Sequence, residues 1–341
     1  MKLKVVRIDK ALVLKEDTKI QNTIFLVRSQ VGFACVSCRV IFENCKILLY
    51  RSKKANIGLF AQNANVKIIN CFVQNANIGL KLINSSLIIR ESKFSYNKEY
   101  AVYAVGSVID IENCNICING FEIFSAQISL ENSKADIFHS RITKGVNSTA
   151  LFAKNSFIYL DSTEVSLNDA SAIHLENCKF SIRKAKIYNN SLLNQDFSQV
   201  YIENSKGKLS ESLLYAGKDS FVIYATKQSS LKVLDSFIFD NNSGILIDRY
   251  SQITLYKTRI FRNALRERQA QINADSSKIY IVSSKVFDGF EGIYAQKTSF
   301  VFLKNSNISR NQFPLCIHEL SELVEKSSSP KRCNEPFWIN K

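Results

Sequence analysis

The chain has 341 residues, 46% of them hydrophobic, with 11 Gly and 3 Pro, a composition that excludes a disordered chain. Its formal net charge of +15 favours anionic partners, such as an acidic protein surface, an anionic polysaccharide or another polyanion. No stretch approaches the roughly 18 apolar residues of a membrane span, and no nucleic-acid-binding motif accompanies the charge, so neither membrane insertion nor nucleic-acid binding is expected.

The N-terminal stretch, MKLKVVRIDKALVLKEDTK, mixes charged residues into short apolar segments. It lacks the apolar core of a secretory signal, so an intracellular location is expected unless a leader has been removed. Residues 1–30 fall outside the repeat described next and are expected to cap its N-terminal end.

Residues 31–313 repeat a short pattern about every 22 residues. Each segment has eight positions: apolar, any, apolar, any, polar, small, any, apolar. The last six of them are FENCKI at residues 42–47. A recurrent small side chain of this kind fits a tight corner of the backbone. The small positions are Cys45, Cys71, Ser92, Cys114, Ser133, Thr163, Ala185, Ser212, Ser236, Thr258, Ser284 and Ser306.

A second strand with alternating apolar residues lies upstream of most of these segments, as at residues 58–62 and 292–296. Strands this short, two or three in each repeat, bury their apolar residues only by stacking in parallel on the next repeat. The sequence therefore predicts an all-β fold, a single right-handed parallel β-helix of about twelve coils. Its narrow interior is lined on this second strand by Ala61, Leu82, Ala104, Ser125, Ala153, Leu175, Ile202, Ala225, Ile247, Ala274 and Ala295.

The cysteines include two pairs with the spacing of zinc half-sites, Cys35-x-x-Cys38 and Cys114-x-x-Cys117. Cys45, Cys71 and Cys114, however, occupy positions that Ser or Thr fills in other repeats. The thiols are therefore expected to be small buried residues, and neither a metal site nor a cofactor is expected.

Residues 314–341 follow the last repeat and are expected to form a C-terminal cap and tail. Ile317, Leu320, Leu323 and Val324 recur at helical spacing, which predicts a short capping helix over residues 314–326.

The outward position of the second strand carries a row of aromatic side chains. An exposed row of stacked rings is typical of a binding surface, although aromatic residues also suit the outside of a strand. The ligand-binding candidates are Phe60, Tyr103, Phe124, Phe152, Tyr201, Tyr224 and Tyr294, and Lys81, His174, Leu246 and Asn273 fill the remaining positions of the row.

Two residues further along each strand, carboxylates recur at Glu176, Glu203, Asp248 and Asp275. Neighbouring coils place Glu176 beside Glu203, and Asp248 beside Asp275, at about 5 Å, which is the carboxylate spacing of retaining glycosidases. Like charges this close are expected to raise one pKa of each pair, as an acid and base require. His174 could assist, and the alternative is an ordinary solvated surface paired with bases such as Lys227.

Three longer coils carry extra residues just before the second strand, at residues 143–149, 189–198 and 263–269. Their loops are expected to form one wall of a cleft, because loops on a rigid scaffold commonly carry binding residues. Arg262 and Arg266 there could clamp a carboxylate or phosphate of a ligand.

Repeats such as NCKILLYRSKKANIGLFAQN and NSNISRNQF resemble those of the pectate-lyase-like superfamily of right-handed β-helices, over residues 31–313. That resemblance implies the fold and two kinds of function, because the superfamily includes polysaccharide lyases, hydrolases and epimerases as well as non-catalytic binding modules. The Gly-His-Gly and Arg-Ile-Lys motifs of the polygalacturonases are absent from this sequence.

The function expected first is a non-catalytic scaffold that recognises an elongated partner, either a protein assembly or a polysaccharide, through the aromatic face. The alternatives are a polysaccharide-processing enzyme, a glycoside hydrolase or lyase that uses Glu176, Glu203, Asp248, Asp275 and His174, and a binder of another polyanion through the basic surface.

Overall fold

The computed structural model of the chain describes residues 3–50, 56–121, 125–192, 197–218, 221–265, 269–318 and 320–328. Within these ranges the backbone forms β-strands and contains no α-helix, so no helix there could cross a membrane. The chain divides into two compact units, residues 1–173 and residues 174–341.

The strands of the first unit are three to seven residues long. They are β1 (Lys4–Ile8), β2 (Leu12–Leu14), β3 (Thr18–Gln21), β4 (Thr23–Val27), β5 (Val31–Val36), β6 (Arg39–Glu43), β7 (Lys46–Leu49), β8 (Ile57–Gln62), β9 (Asn65–Ile69), β10 (Phe72–Gln74), β11 (Ile78–Ile83), β12 (Ser86–Arg90), β13 (Lys93–Ser95), β14 (Tyr100–Val105), β15 (Val108–Glu112), β16 (Asn115–Cys117), β17 (Ser125–Glu131), β18 (Lys134–Phe138), β19 (Arg141–Thr143), β20 (Ser148–Lys154), β21 (Phe157–Asp161) and β22 (Glu164–Ser166).

The second unit continues the same pattern of short strands. They are β23 (Ile173–Glu176), β24 (Lys179–Arg183), β25 (Lys186–Tyr188), β26 (Val200–Glu203), β27 (Lys206–Ser210), β28 (Leu213–Tyr215), β29 (Ile223–Thr226), β30 (Ser230–Leu234), β31 (Phe237–Phe239), β32 (Ile245–Ile247), β33 (Gln252–Tyr256), β34 (Arg259–Phe261), β35 (Ala270–Asp275), β36 (Lys278–Val282), β37 (Lys285–Phe287), β38 (Glu291–Gln296), β39 (Phe300–Lys304), β40 (Asn307–Ser309), β41 (Phe313–Ile317) and β42 (Glu322–Lys326).

Every third strand belongs to the same parallel sheet, and each of the three sheets has 14 strands. Sheet 1 runs from β1 to β40, sheet 2 from β2 to β41 and sheet 3 from β3 to β42. The predicted all-β parallel β-helix is confirmed, with about 14 coils rather than twelve. The additional coils come from both ends, because the stretches expected to lie outside the repeat add strands to all three sheets.

The corners before sheet 3 and before sheet 1 combine a residue of positive φ with a small buried residue after it. Asn84 (φ 49°) precedes Ser85, and Asn113 (φ 53°) precedes Cys114. Asn accepts this left-handed conformation more readily than most residues, because its short polar side chain bonds locally. The polar and small positions of the repeat therefore encode the corners.

Two of the three corners carry this polar-small pair, which explains one error in the predicted alignment. The pairing of β15 with β18 places Ser133 at the corner before sheet 3, and Ser140 fills the corner to which Ser133 was assigned. The same slip displaced the second strand. Ser129 and Leu130 pair with Tyr103 and Ala104, so they replace Phe124 and Ser125 in the rows; Phe124 itself lies outside the described residues.

The helix predicted over residues 314–326 is wrong. Leu315 pairs with Ile293 in sheet 2, and Leu323 pairs with Val301 in sheet 3, so β41 and β42 extend the stack instead. The helical spacing of four apolar residues competes there with a neighbouring strand edge that offers a full set of backbone hydrogen bonds.

One pair of cysteines also differs from the expectation of free buried thiols. A disulfide joins Cys35 to Cys38, whose Cα atoms lie 5.8 Å apart, within the range that a disulfide spans. Cys316 is disulfide-bonded as well. The other described cysteines, Cys45, Cys71, Cys114, Cys117 and Cys178, are free and buried.

The corner before sheet 2 contains a buried row of amides that the sequence analysis missed. Asn241 donates from Nδ2 to Oδ1 of Asn263 at 2.7 Å, and Asn97 donates to Asn119 at 2.9 Å. Some coils have Gly at this corner, and a Gln from sheet 2 then supplies the amide. Gln199 Nε2, for example, donates to Asn241 Oδ1 at 2.8 Å across the coil that has Gly217.

Among the described residues, a Gln amide replaces the missing corner amide beside a Gly three times, at equal intervals along the chain. Gln127 reaches Asn168 beside Gly145, and Gln271 reaches Asn311 beside Gly289. Glycine is required there, since a Cβ on residue 217 would lie 2.7 Å from Gln199 Nε2, and one on residue 289 would lie 2.6 Å from Gln271 Cγ.

Removal of the Gln199 amide is expected to destabilise the fold. Gln199→Leu removes one acceptor of Asn190 Nδ2 and one donor to Asn241 Oδ1, both buried, which costs about 2–4 kcal/mol of unfolding free energy in urea melts. The control Gln252→Leu, half-buried on the outer face of sheet 3, should change stability by under about 0.5 kcal/mol. Equal effects of Gln199→Leu and Gln252→Leu would contradict the amide row.

Candidate functional site

The aromatic row lies on the outer face of sheet 2, where its members alternate with buried residues. In the first unit the register aligns Phe60, Lys81, Tyr103, Ser129 and Phe152. In the second unit it aligns Tyr201, Tyr224, Leu246, Asn273 and Tyr294, and His174 holds the equivalent position on β23. All of these side chains are half-buried except Ser129, which is buried. The side chains face outward, but Ser129, Lys81, Leu246 and Asn273 interrupt the row.

The rings of this row are tilted against one another. His174 and Tyr201 have ring centroids 4.4 Å apart at an interplanar angle of 49°, and Tyr201 meets Tyr224 at 5.3 Å and 88°. Tilted rings keep part of each face uncovered, and a ring face is the surface on which a sugar ring packs.

A second aromatic row, on the outer face of sheet 1, has the opposite geometry. Its rings are 4.8 to 5.2 Å apart and within 11° of parallel, so each ring covers the faces of its neighbours. This row stabilises coil stacking and offers only ring edges to a ligand. It consists of Tyr188, Tyr215, Phe239, Phe261 and Phe287, the last residue of each three-residue strand, and that recurrence was the sequence signal that could have revealed it.

His174 and two of the predicted carboxylates form one cluster in the second unit. His174 Nε2 lies 3.2 Å from Glu176 Oε1 on the same strand. On the next strand of sheet 2, Tyr201 donates its hydroxyl to Glu203 Oε2 at 2.8 Å, and Lys227 Nζ lies 2.5 Å from Glu203 Oε1. The structure therefore brings together His174, Glu176 and Glu203 as the sequence predicts, and adds Lys227.

The partners of the two carboxylates differ in charge, because Glu203 contacts the cation of Lys227 and Glu176 contacts the imidazole of His174. Burial raises the pKa of Glu203, but hydrogen bonds from Lys227 and Tyr201 outweigh it and hold that pKa below the ordinary value. Burial lowers the pKa of His174 more than the carboxylates of Glu176 and Glu203 raise it, so the imidazole is neutral at pH 7. Burial also raises the pKa of Tyr201, which keeps its phenol protonated.

The second carboxylate pair lies further along sheet 2. Tyr224 donates its hydroxyl to Asp248 Oδ2 at 2.9 Å, while Asp248 Oδ1 is buried without a hydrogen-bond partner in the described part of the chain. Asp275 is held by Lys297 at 2.5 Å and by Gln296 at 3.1 Å. Although burial raises the pKa of Asp275, hydrogen bonds from Lys297 and Ser276 lower it overall. A raised pKa, expected for one member of each pair, is therefore found for neither Glu203 nor Asp275.

The row of carboxylates contains one member that the sequence alignment missed. Glu131 pairs with Val105 and Lys154, which is the position that the slipped frame gave to Ala126.

A cavity of about 210 Å³ opens on the same face beside Asp275. It is smaller than the pockets of about 300–1,000 Å³ that enclose a drug-sized ligand, so it suits a single ring-sized group of a longer molecule. The lining combines aromatic, amide and carboxylate groups, including Phe221, Leu246, Asn273, Asp275, Tyr294 and Gln296.

The predicted arginine clamp is not part of this face. Arg262 makes a bidentate contact with Asp240, at 2.6 and 2.7 Å, and covers the ring of Phe261 in the sheet 1 row. Arg266 lies outside the described residues. No group of His, Cys, Asp and Glu that could hold a metal ion is found in the described part of the chain.

Comparison with known proteins agrees with this architecture. The family model for a right-handed β-helix region matches residues 183–327. No curated protein matches the chain. The match to the family model agrees with the parallel coils that the strands form.

Comparison with solved structures finds matches at low sequence identity. A mutant of the periplasmic alginate epimerase AlgG is 14% identical, with a TM-score of 0.46 over 94% of this chain and 77% of the epimerase. A mutant catalytic domain of a GH87 α-1,3-glucanase in complex with nigerose is 10% identical, with a TM-score of 0.41 over 82% of this chain and 60% of the glucanase. The enzymatically active domain of bacteriophage CBA120 tailspike protein 2 is 11% identical, with a TM-score of 0.35 over 95% of this chain and 48% of the tailspike domain.

The neutral imidazole of His174 can be tested by NMR titration. We expect its midpoint below the ordinary value of about 6.5, and a further decrease in Glu176→Gln, which removes a negative charge that favours the imidazolium. Since the unfolded chain binds this proton more readily, His174 should also make the protein less stable as pH falls below about 6.5. A midpoint above the ordinary value would contradict the burial of this side chain.

Proposed function

We propose that the protein processes a polysaccharide that lies along the outer face of sheet 2, with the cluster of His174, Glu176 and Glu203 at the reaction centre. The observation that carries this proposal is the difference between the two carboxylates' surroundings. Glu203 is paired with Lys227, whereas Glu176 lies beside a neutral imidazole. Two carboxylates in unlike environments are what a division into base and acid requires.

The spacing of the pair favours glycoside hydrolysis. Glu176 ends β23 and Glu203 ends β26, which are neighbouring strands of sheet 2, and such strands lie about 4.8 Å apart. Retaining glycosidases hold their two carboxyl groups at about 5–5.5 Å. In this proposal Glu203 attacks the anomeric carbon while Glu176 acts as the general acid for the departing glycosidic oxygen. Water, with Glu176 now acting as the base, then hydrolyses the glycosyl ester on Glu203 and restores both carboxyl groups.

The rest of the face supplies binding contacts for a hydroxyl-rich chain. Ionised carboxylates such as Asp275 accept hydrogen bonds from sugar hydroxyls, and Asn273 and Gln296 can both donate and accept. The tilted rings of Tyr201 and Tyr224 offer faces to sugar rings. A row of carboxylates disfavours a densely anionic chain, so a neutral polysaccharide fits this face best.

Non-catalytic binding of the same polysaccharide is the second candidate. It is favoured by the ion pair between Lys227 and Glu203, which occupies the carboxylate that hydrolysis needs as a nucleophile. Both candidates share the binding face and differ in whether Glu203 and Glu176 react with the bound sugar.

Incubation with a panel of neutral oligosaccharides separates the two candidates. Glu203→Gln and Glu176→Gln should each lower product formation by roughly 10²–10⁴-fold. The control Glu322→Gln, on an exposed position of sheet 3, should leave it unchanged.

Products formed equally by all variants would exclude Glu176 and Glu203 as catalysts. Binding without products would establish the non-catalytic candidate. If neither binding nor products were observed, the proposal would be wrong, and the elongated protein partner expected from the sequence would be the next candidate for the aromatic row.

A further inference from the structure

A second cavity lies on the outer face of sheet 1 in the first unit, whereas the proposed reaction centre lies on sheet 2 in the second unit. Its volume is about 310 Å³, and its walls come from four consecutive strands, β13, β16, β19 and β22. We propose that this cavity binds an oxyanion, a phosphate, sulfate or carboxylate group carried by a hydroxylated ligand.

The shape of the cavity follows from one row of small residues in sheet 1. Ser95, Cys117, Thr143 and Ser166 align in one row of sheet 1, and Ser95, Cys117 and Ser166 are buried. In the second unit the last residue of each sheet 1 strand from β25 to β37 is aromatic and fills that space. Small side chains in place of rings leave a trench at the surface of the first unit.

Three cations surround the trench, against one carboxylate. Lys93 and Lys144 line it, and neither makes an ion pair or a side-chain hydrogen bond among the described residues. Arg141 places Nε 3.2 Å from Glu164 Oε2, while Ser166 donates to Glu164 Oε1 at 3.1 Å. Glu164 is thereby contacted by both Arg141 and Ser166. The ammonium groups of Lys93 and Lys144 and the remaining N–H groups of Arg141 are left to bind a ligand.

The cations line one cavity together with small residues of sheet 1. Lys93 pairs with Asn115 on the neighbouring strand, Lys144 directly follows Thr143, and both lysines line the cavity with Cys117. An oxyanion bound in the cavity would be attracted by both ammonium groups. Arginine adds directional donors, which match the planar geometry of oxyanions.

An unpartnered acceptor in the wall points to hydroxyl groups on the ligand. Asn115 lines the cavity between Lys93 and Arg141 in the register, and its Oδ1 is buried without a hydrogen-bond partner in the described ranges. A buried acceptor left unpaired costs about 1–3 kcal/mol, and a ligand hydroxyl that donates to Asn115 removes that cost. A bare halide ion would not do so.

Calorimetric titration of the full chain at low salt tests the site with three probes: inorganic phosphate, inorganic sulfate and glucuronate. We expect saturable binding of at least one of them at a single site, and the tightest probe identifies the anionic group. Lys93→Gln/Lys144→Gln should weaken that binding at least tenfold.

The matched control is Lys232→Gln/Lys278→Gln, which removes the same charge from exposed positions of sheet 3 in the second unit. Its affinity should stay within twofold of the unmodified protein, and thermal melts of both double variants should match, since all four lysines lie on the outer surface. No saturable binding of any probe, or an equal loss in both double variants, would overturn the proposal.

Discussion

Hydrogen bonds through three buried corners hold each coil in register with the next. At the corner before sheet 3, Ser229 Oγ accepts the backbone N–H of Ser205 at 3.2 Å and donates to the carbonyl of Thr226 at 2.6 Å. The corner before sheet 2 is bridged by the amides of Asn and Gln. Because these groups are shielded from water, a register slip of one residue would leave unpaired groups at every corner, at about 1–3 kcal/mol each.

This constraint fixes the interior and leaves the outer faces free to differ. Sheet 1 of the second unit carries flat rings that cover one another, and sheet 1 of the first unit carries small residues beneath Lys93 and Lys144. Sheet 2 carries tilted rings beside carboxylates. One repeated backbone thus supports surfaces of different chemistry, and function must be argued from each face separately.

The sequence was sufficient for the fold because the relevant signals are local. Alternating apolar residues and a small corner residue recur in each coil, as at Ile109 and Ile111 before Cys114. Two predictions failed where the local pattern was not enough. The alignment slipped at Ser133 because two corners of each coil share one pattern. The pKa of Glu203 was not predicted because it depends on Lys227, which lies a whole coil later in the chain.

The candidate site was predicted in part for the same reason. The register of His174, Glu176 and Glu203 follows from alternation along neighbouring strands, so their proximity was predictable. The angle between rings was not, because the sequence pattern of Tyr224 in sheet 2 resembles that of Tyr215 in sheet 1 although only the latter is stacked face to face. The amide that Gln199 supplies beside Gly217 could not be predicted either, because that prediction requires knowing which coils are in contact.

The central claim is that the face of sheet 2, with its uncovered rings, is the surface that recognises the ligand. The most direct measurement is the affinity of Tyr224→Ala and of Tyr215→Ala for an oligosaccharide that the unmodified protein binds. Loss of one packing ring is worth about 1–3 kcal/mol, so Tyr224→Ala should weaken binding roughly five- to a hundredfold, and Tyr215→Ala should leave it unchanged. Equal affinities of the two variants, or a larger loss in Tyr215→Ala, would contradict the claim.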